Sequence, residues 1–129
     1  MTDRASLVAA EPQLFTRDVE SAAEFYATKL GFAVAFMYGD PPFYAQVARD
    51  GARLNLRHVD VPVIDPARRE SEELLAATIT LGDAATLFEE FERAGVDFAK
   101  GLTREEWGST TFIVRDTDGN LILFAGATA

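Results

Sequence analysis

One pattern of extended and helical segments occurs twice along this chain of 129 residues, and it restricts the folds that the chain can adopt. A short extended run, an amphipathic helix, a second extended run and a hairpin follow one another over residues 11–58 and again over residues 75–126. Residues 59–74 lie between them, and their two prolines and dense charge are typical of a connector, with room for one helical turn after Pro66. The sequence therefore predicts a single α+β domain over residues 1–129, built from two βαβββ modules.

Both predicted helices carry the same start and stop signals. Asp18 and Asp83 are suited to cap a helix N-terminus, while Gly31 and Gly95 stand where a helix ends in a left-handed residue. Each module then closes with an Asp-Gly pair between two alternating runs, which is a strong hairpin signal. A helix followed by a hairpin recurs by chance in some α+β domains, but here the caps, the glycines and the turns coincide in register.

Strand alternation divides the side chains of the first module between two faces. We expect the leucines at 14, 54 and 56 to lie under the helices. The opposite face then carries mostly polar side chains: Glu11, Gln13, Phe15, Arg53, Asn55 and Arg57. In the second module, Leu121 and Leu123 face away from Ile122 and Phe124, so its sheet is expected to be the more apolar of the two.

Composition and charge exclude several classes of function. Without cysteine the chain has no thiol chemistry and no cysteine-ligated zinc. Its apolar runs are shorter than the roughly 20 residues of a membrane helix and it starts without a secretory signal, so we expect a cytoplasmic protein. The net charge of −9 disfavours nucleic acid and anionic membranes as partners and attracts cations, although solubility alone explains such a charge.

The charged runs are expected to be solvated. Glu89, Glu90, Glu92 and Arg93 fall mostly off the apolar stripe of the second helix, and residues 68–73 are expected to form a mobile or lightly helical connector.

Catalytic motifs are scarce in the sequence. The chain has one histidine, His58, near Asp60, and it has neither a nucleophile elbow nor a phosphate-binding loop. A single histidine at a strand end is more often solvated than catalytic.

Two segments, TRDVESAAEFYATKLGF and EEWGSTTFIVRDTDGNLILF, resemble the vicinal oxygen chelate superfamily, in particular its bleomycin-resistance branch. The resemblance implies two curved mixed sheets that enclose a cup. It also implies four metal-ligand positions, which here are Glu11 in the first strand, Asn55 in the fourth, Ala76 in the fifth and Leu123 in the last. Because only Glu11 is a competent ligand and a protein-held metal needs about three donors, we expect no metal and no cofactor.

Several aromatic and polar side chains are candidates for the wall of a binding site. The candidates are Gln13, Phe36, Tyr38, Phe43, Asn55, Arg57 and Trp107. Aromatic walls with a few polar groups are typical of small-molecule pockets. Burial in the core is the alternative for Phe36, Phe43 and Trp107.

The sequence thus favours a metal-free protein that sequesters an aromatic natural product or antibiotic and so confers resistance by binding. The resemblance further implies a homodimer. An enzyme of the same fold, a lyase, isomerase or dioxygenase with a non-standard active site, is the alternative, with Glu11 as a candidate base in the isomerase case. An interaction module without a small ligand is a third hypothesis.

Overall fold

The computed structural model describes residues 3–126, and its elements follow the predicted order. The first module comprises β1 (Gln13–Thr16), α1 (Val19–Lys29), β2 (Ala33–Tyr38), β3 (Tyr44–Arg49) and β4 (Ala52–His58). A short helix, α2 (Pro66–Ser71), occupies the connector. The second module comprises β5 (Leu75–Leu81), α3 (Ala84–Arg93), β6 (Phe98–Arg104), β7 (Thr110–Arg115) and β8 (Leu121–Gly126). The predicted α+β class and the repeated βαβββ order are confirmed.

Each module forms its own mixed sheet of four strands. The strand orders are β1-β4-β3-β2 and β5-β8-β7-β6, and in each sheet the first strand pairs parallel to the last while the other pairs are antiparallel. Neither sheet closes on itself. Glu11, expected within the first strand, lies two residues before β1, because the ladder with β4 begins at Gln13.

The helix and turn signals act as the sequence indicates. The Asp18 carboxylate accepts a hydrogen bond from the Ser21 N–H at 3.1 Å, and the Asp83 carboxylate accepts one from the Thr86 N–H at 3.0 Å. Each cap supplies an acceptor for an N–H group that the first helical turn leaves without an intrahelical partner. Gly31 and Gly95 have φ of +73° and +76°, which places a left-handed residue at the end of α1 and of α3.

The core is shared by the two modules. Leu14, Leu54 and Leu56 are buried as predicted, and they belong to one cluster with Phe112 and Phe124 of the second sheet. Both long helices contribute to this cluster as well, for example through Tyr26 of α1 and Phe91 of α3. The two sheets therefore turn their helix-covered faces toward a common interior. Among residues 3–126, no helix is long and apolar enough to cross a membrane.

A buried hydrogen-bond network crosses the junction between the modules. The hydroxyl of Tyr26 on α1 donates to Asp116 Oδ2, after β7, at 2.7 Å. The Asn120 amide donates to the same Asp116 oxygen and to the Phe15 carbonyl, both at 3.0 Å. Burial raises the pKa of Asp116 above its ordinary value, although these donors oppose the shift, and burial together with Asp116 raises the pKa of Tyr26. The junction is thus specified by polar geometry as well as by apolar packing.

Two of the charged runs make contacts that the sequence did not indicate. Arg49 on β3 forms a forked pair with Glu90 on α3, at 2.7 and 3.1 Å, although the Glu90 side chain is still 42% exposed. The connector is lightly helical, the second of its two expected states, and it is anchored. Arg69 is 6% exposed and donates to the Asp118 carbonyl at 3.0 Å, while Glu70 pairs with Arg115. Sequence patterns miss these contacts because the partners are 41 to 49 residues apart.

Candidate functional site

The face of the first sheet that turns away from the core is partly exposed within residues 3–126. We call it the open face, and the strand register defines it by two rows of side chains that run across the sheet. The first row is Phe36, Gln46, Asn55 and Gln13, and the second is Tyr38, Tyr44, Arg57 and Phe15. The open face thus brings together five of the seven predicted site residues: Gln13, Phe36, Tyr38, Asn55 and Arg57.

A polar network lies in the first row and beside it. The Gln46 amide donates to Glu11 Oε1 at 3.1 Å and to Asn55 Oδ1 at 2.9 Å, and the Asn55 amide donates to Glu11 Oε1 at 3.3 Å. The Arg53 guanidinium lies 3.9 Å from the other Glu11 oxygen. Glu11 is therefore held by two amides and one cation, which fixes the position of its carboxylate on the open face.

Aromatic rings stand beside this network. Phe36 and Tyr44 stack, with ring centroids 6.2 Å apart and an interplanar angle of 21°. The Tyr44 hydroxyl donates to Gln13 Oε1 at 2.7 Å, which orients the tyrosine ring. Phe36 remains 44% exposed and Tyr38 74% exposed, so Phe36 does not fill the core. These rings offer a flat apolar surface next to fixed hydrogen-bonding groups.

One end of the open face carries a cation on an aromatic ring. The Arg57 guanidinium carbon lies 4.9 Å from the centroid of the Phe43 ring, and Arg57 also donates to the His58 carbonyl at 2.7 Å. Phe43 is 47% exposed and so does not fill the core either. His58 Nε2 lies 3.0 Å from Asp60 Oδ1, an exposed pair at the rim of the sheet.

Trp107 lies in the second module and does not join the other candidates within one chain. It is 75% exposed, so core burial is excluded for it, and its indole N–H donates to Ser109 Oγ at 2.6 Å. The neighbouring Glu105 accepts hydrogen bonds from Lys100 and from Thr111, which hold its pKa below the ordinary value. The loop that presents Trp107 is therefore fixed at its base by a charged pair.

Sequence reasoning missed Gln46, a central residue of the open face, and noted its neighbour Tyr44 as an aromatic without a core assignment but left it out of the candidate set. Both lie on β3, where they alternate with the buried Ala45 and Val47. The same alternation that was applied to β1 and β4 identifies them once the strand is extended to Tyr44. The hydrogen bond from Gln46 to Glu11 had no such local signal, because the two residues are 35 positions apart.

The donor set of the four metal-ligand positions does not fit a divalent cation. Glu11 and Asn55 are neighbours, but Ala76 and Leu123 have no donor atom, and the Glu11 carboxylate already accepts two amide hydrogen bonds. Residues 3–126 contain no group of three His, Cys, Asp or Glu side chains close enough to hold a metal ion. Three or more such donors are the usual requirement.

A cleft of about 740 Å³ lies between the β3–β4 turn and strand β5. Its lining includes Glu11 and Arg53, which also belong to the open face, but none of the seven predicted site residues. Much of the rest is core, such as Phe91 and Phe124, and these side chains are committed to packing. We therefore place the candidate site on the open face, where Phe36 and Tyr38 are exposed and Gln46 is half-buried, while Asn55, at 5% exposed, supports Gln46 from below.

Solved structures with the same architecture include bleomycin-binding proteins and a glyoxalase-related enzyme. A bleomycin-binding protein from bleomycin-producing Streptomyces verticillus, complexed with copper(II)-bleomycin, is 27% identical, with a TM-score of 0.70 over 98% of this chain and 100% of that chain. Another bleomycin-binding protein, complexed with bleomycin, is 23% identical, with a TM-score of 0.75 over 93% and 98%. A glyoxalase-related enzyme from Clostridium phytofermentans is 16% identical, with a TM-score of 0.74 over 97% and 99%. These last two likenesses establish the fold alone.

No curated protein matches the chain. A family model does match it, over residues 7–124, which is nearly its whole length and both βαβββ modules. The repeated modules, the two mixed sheets and this match give one answer: the chain belongs to the glyoxalase/bleomycin resistance protein/dioxygenase superfamily.

Proposed function

We propose that this protein binds and sequesters an aromatic natural product or antibiotic on the open face, without a metal. One observation carries the proposal: the exposed rings of Phe36 and Tyr38 and the half-buried ring of Tyr44 stand beside a fixed amide network on the open face. Exposed apolar surface of this kind commonly marks a site of interaction. A flat ligand gains by stacking on these rings, while the half-buried amide of Gln46, held by the buried Asn55, recognises its polar edge.

The comparisons support a binding role. The bleomycin-binding protein from Streptomyces verticillus shares 27% of its residues with this chain over its full length. Sequestration needs neither a nucleophile nor a metal, and it is compatible with the poor donor set around Glu11. A resistance role follows if the ligand is an antibiotic.

A second copy of the chain is part of the proposal. The second module also exposes apolar side chains on its surface, including Leu75, Leu102 and Trp107. In the proposed homodimer, the second sheet of one chain covers the open face of the other, which forms the cup and brings Trp107 of the partner over the bound ligand. Light scattering after size-exclusion chromatography tests the dimer, and cell fractionation tests the expected cytoplasmic location.

A thermal-shift screen tests the binding function. Bleomycin and a panel of planar aromatic antibiotics are added to the full chain, with and without a divalent-metal chelator. A compound at about 100 times its dissociation constant stabilises the fold by roughly 2.7 kcal/mol, which for this length is a rise of roughly 8 to 16 °C. We expect at least one such shift, unchanged by the chelator.

Two variants locate the effect. Phe36→Ala removes a ring of the open face and should abolish the shift. Val61→Ala, an exposed apolar residue in the connector, should leave it intact. A shift that requires a divalent metal, or no shift across the panel, would contradict the proposal, and the latter result would favour an interaction module.

An enzyme remains the second candidate, since Glu11 is an accessible carboxylate held in place on the same face. In that case the open face binds a substrate and Glu11 removes or shuttles a proton. Glu11→Gln separates the two functions. Ligand binding that survives the substitution, with no turnover in either protein, supports sequestration, whereas turnover that only the unsubstituted chain shows supports the enzyme.

A further inference from the structure

The charge of the open face differs from the charge of the whole chain. The chain carries a net −9, yet the open face carries two arginines, Arg53 and Arg57, against one acid, Glu11. The acidic excess lies elsewhere, for example in the glutamates of α3 at 89, 90 and 92. Since the Debye length is about 8 Å at physiological salt, a bound molecule responds mainly to the local charges. With Asp60, which pairs with His58 at the rim, the charges of this face balance, so the acidic excess of the whole chain is absent from it.

Arg57 is the cation available for a ligand. Among residues 3–126 it forms no salt bridge, whereas Arg53 lies 3.9 Å from Glu11. Its one side-chain hydrogen bond goes to the His58 carbonyl, which leaves most of its five N–H donors for other acceptors. The Phe43 ring, 4.9 Å from the guanidinium carbon, supports the group from one side. The guanidinium is thus positioned before any ligand arrives.

The register places this cation next to the stacking surface. Arg57 is the cross-strand partner of Tyr44, and Tyr44 is the partner of Tyr38 in the same row. Directly opposed residues on one face lie roughly 5 Å apart at Cβ. A planar ring that stacks on Phe36 and Tyr44 therefore directs a substituent toward the guanidinium, which recognises carboxylates through a planar pair of hydrogen bonds.

We infer that the ligand of the open face is an aromatic acid, a planar ring system that carries a carboxylate, and that Arg57 is the residue that selects it. The inference rests on the proposed function and names its ligand class. It reverses the expectation, drawn from the net charge, that cationic compounds are favoured. Cationic aromatics that stack on Tyr44 meet the Arg57 guanidinium beside it and are repelled there.

Three probes of equal ring size test the inference by fluorescence titration: anthracene-9-carboxylate, 9-anthracenemethanol and 9-(aminomethyl)anthracene. We expect the carboxylate to bind about tenfold more tightly than the neutral alcohol, the size of one charge-assisted pair of hydrogen bonds. The ammonium probe should bind more weakly than the alcohol. Equal or tighter binding of the ammonium probe would overturn the inference while leaving the proposed function standing.

Two substitutions assign the effect to its residue. Arg57→Met should weaken the carboxylate about tenfold and leave the alcohol within about twofold, because the ring surface remains. Arg68→Met removes an exposed arginine of the connector and should change neither value. A loss that is equal for all three probes would show that Arg57 only supports the ring surface, and this too would overturn the inference. Failure of all three probes to bind the unsubstituted chain would count against the inference, and the antibiotic panel would then decide the proposed function separately.

Discussion

The substitution Tyr26→Phe tests whether the buried polar contact holds the two modules in their observed arrangement. Tyr26 is fully buried, and its hydroxyl donates to the Asp116 carboxylate across the module junction at 2.7 Å. Phenylalanine keeps the ring and its edge-to-face contacts with Phe25 and Phe32, so no cavity forms. The change thus removes one donor from a buried acid and little else.

The expected cost follows from what remains around Asp116. Its carboxylate keeps three donors, the N–H groups of Asp118 and Asn120 and the Asn120 amide, at 2.8 to 3.0 Å. The loss of one hydrogen bond to a buried carboxylate costs about 2 kcal/mol. For a chain of this length, that lowers the melting temperature by roughly 6 to 12 °C.

Urea denaturation followed by circular dichroism measures this cost, and Tyr44→Phe is the matched control. The control removes a hydroxyl that donates to Gln13 on the exposed open face, where water replaces the bond, so we expect a change within about 0.5 kcal/mol. A double-mutant cycle with Asp116→Asn should return a coupling of about 1 to 2 kcal/mol. If Tyr26→Phe costs no more than its control, the buried contact does not hold the modules together.

Three further substitutions test the charged contacts and the close packing. Glu90→Gln removes the carboxylate that Arg49 stabilises. Arg49 lowers the pKa of Glu90, so this contribution to stability is present above the ordinary glutamate pKa and is lost as pH falls through the lowered value. In pH-dependent urea melts we expect the substitution to cost at most about 1 kcal/mol at pH 7, because the pair is partly exposed, and to cost nothing once the pH is below the lowered pKa of Glu90. Arg69→Met should cost about 2 kcal/mol in the same assay, because a buried anchor of the connector is lost, whereas Arg68→Met should stay within about 0.5 kcal/mol. Gly126→Ala should destabilise by about 1 to 3 kcal/mol in thermal melts, because the new Cβ would lie 2.8 Å from the Cβ of the first residue of α3; a neutral result would show that the helix end shifts freely.

The sequence predicted the features of the fold that are encoded locally. Asp18 and Asp83 cap their helices, and Gly31 and Gly95 end them, because each signal acts within a few residues of itself. Strand alternation likewise placed the leucines of β1 and β4 on the core face. The limits of the single domain, with modules at 11–58 and 75–126, stay a prediction.

The remaining features depend on pairs that are distant in sequence. Tyr26 and Asp116 are 90 residues apart, and neither residue alone indicates a buried contact. The shared core was also beyond a local pattern, since apolar stripes show that a helix packs without showing which sheets meet. For the candidate site, alternation predicted the face but not the bonds on it, and Gln46 joins Glu11 to Asn55 only once the register is known.

A crystal structure of the protein with the aromatic compound that raises its melting temperature most would show where the ligand binds. We expect a ring stacked over Phe36 and Tyr44, with its polar edge against Gln46 and no coordinated cation at Glu11. A compound bound in the cleft beside β5, or a transition-metal ion coordinated by Glu11, would contradict this expectation.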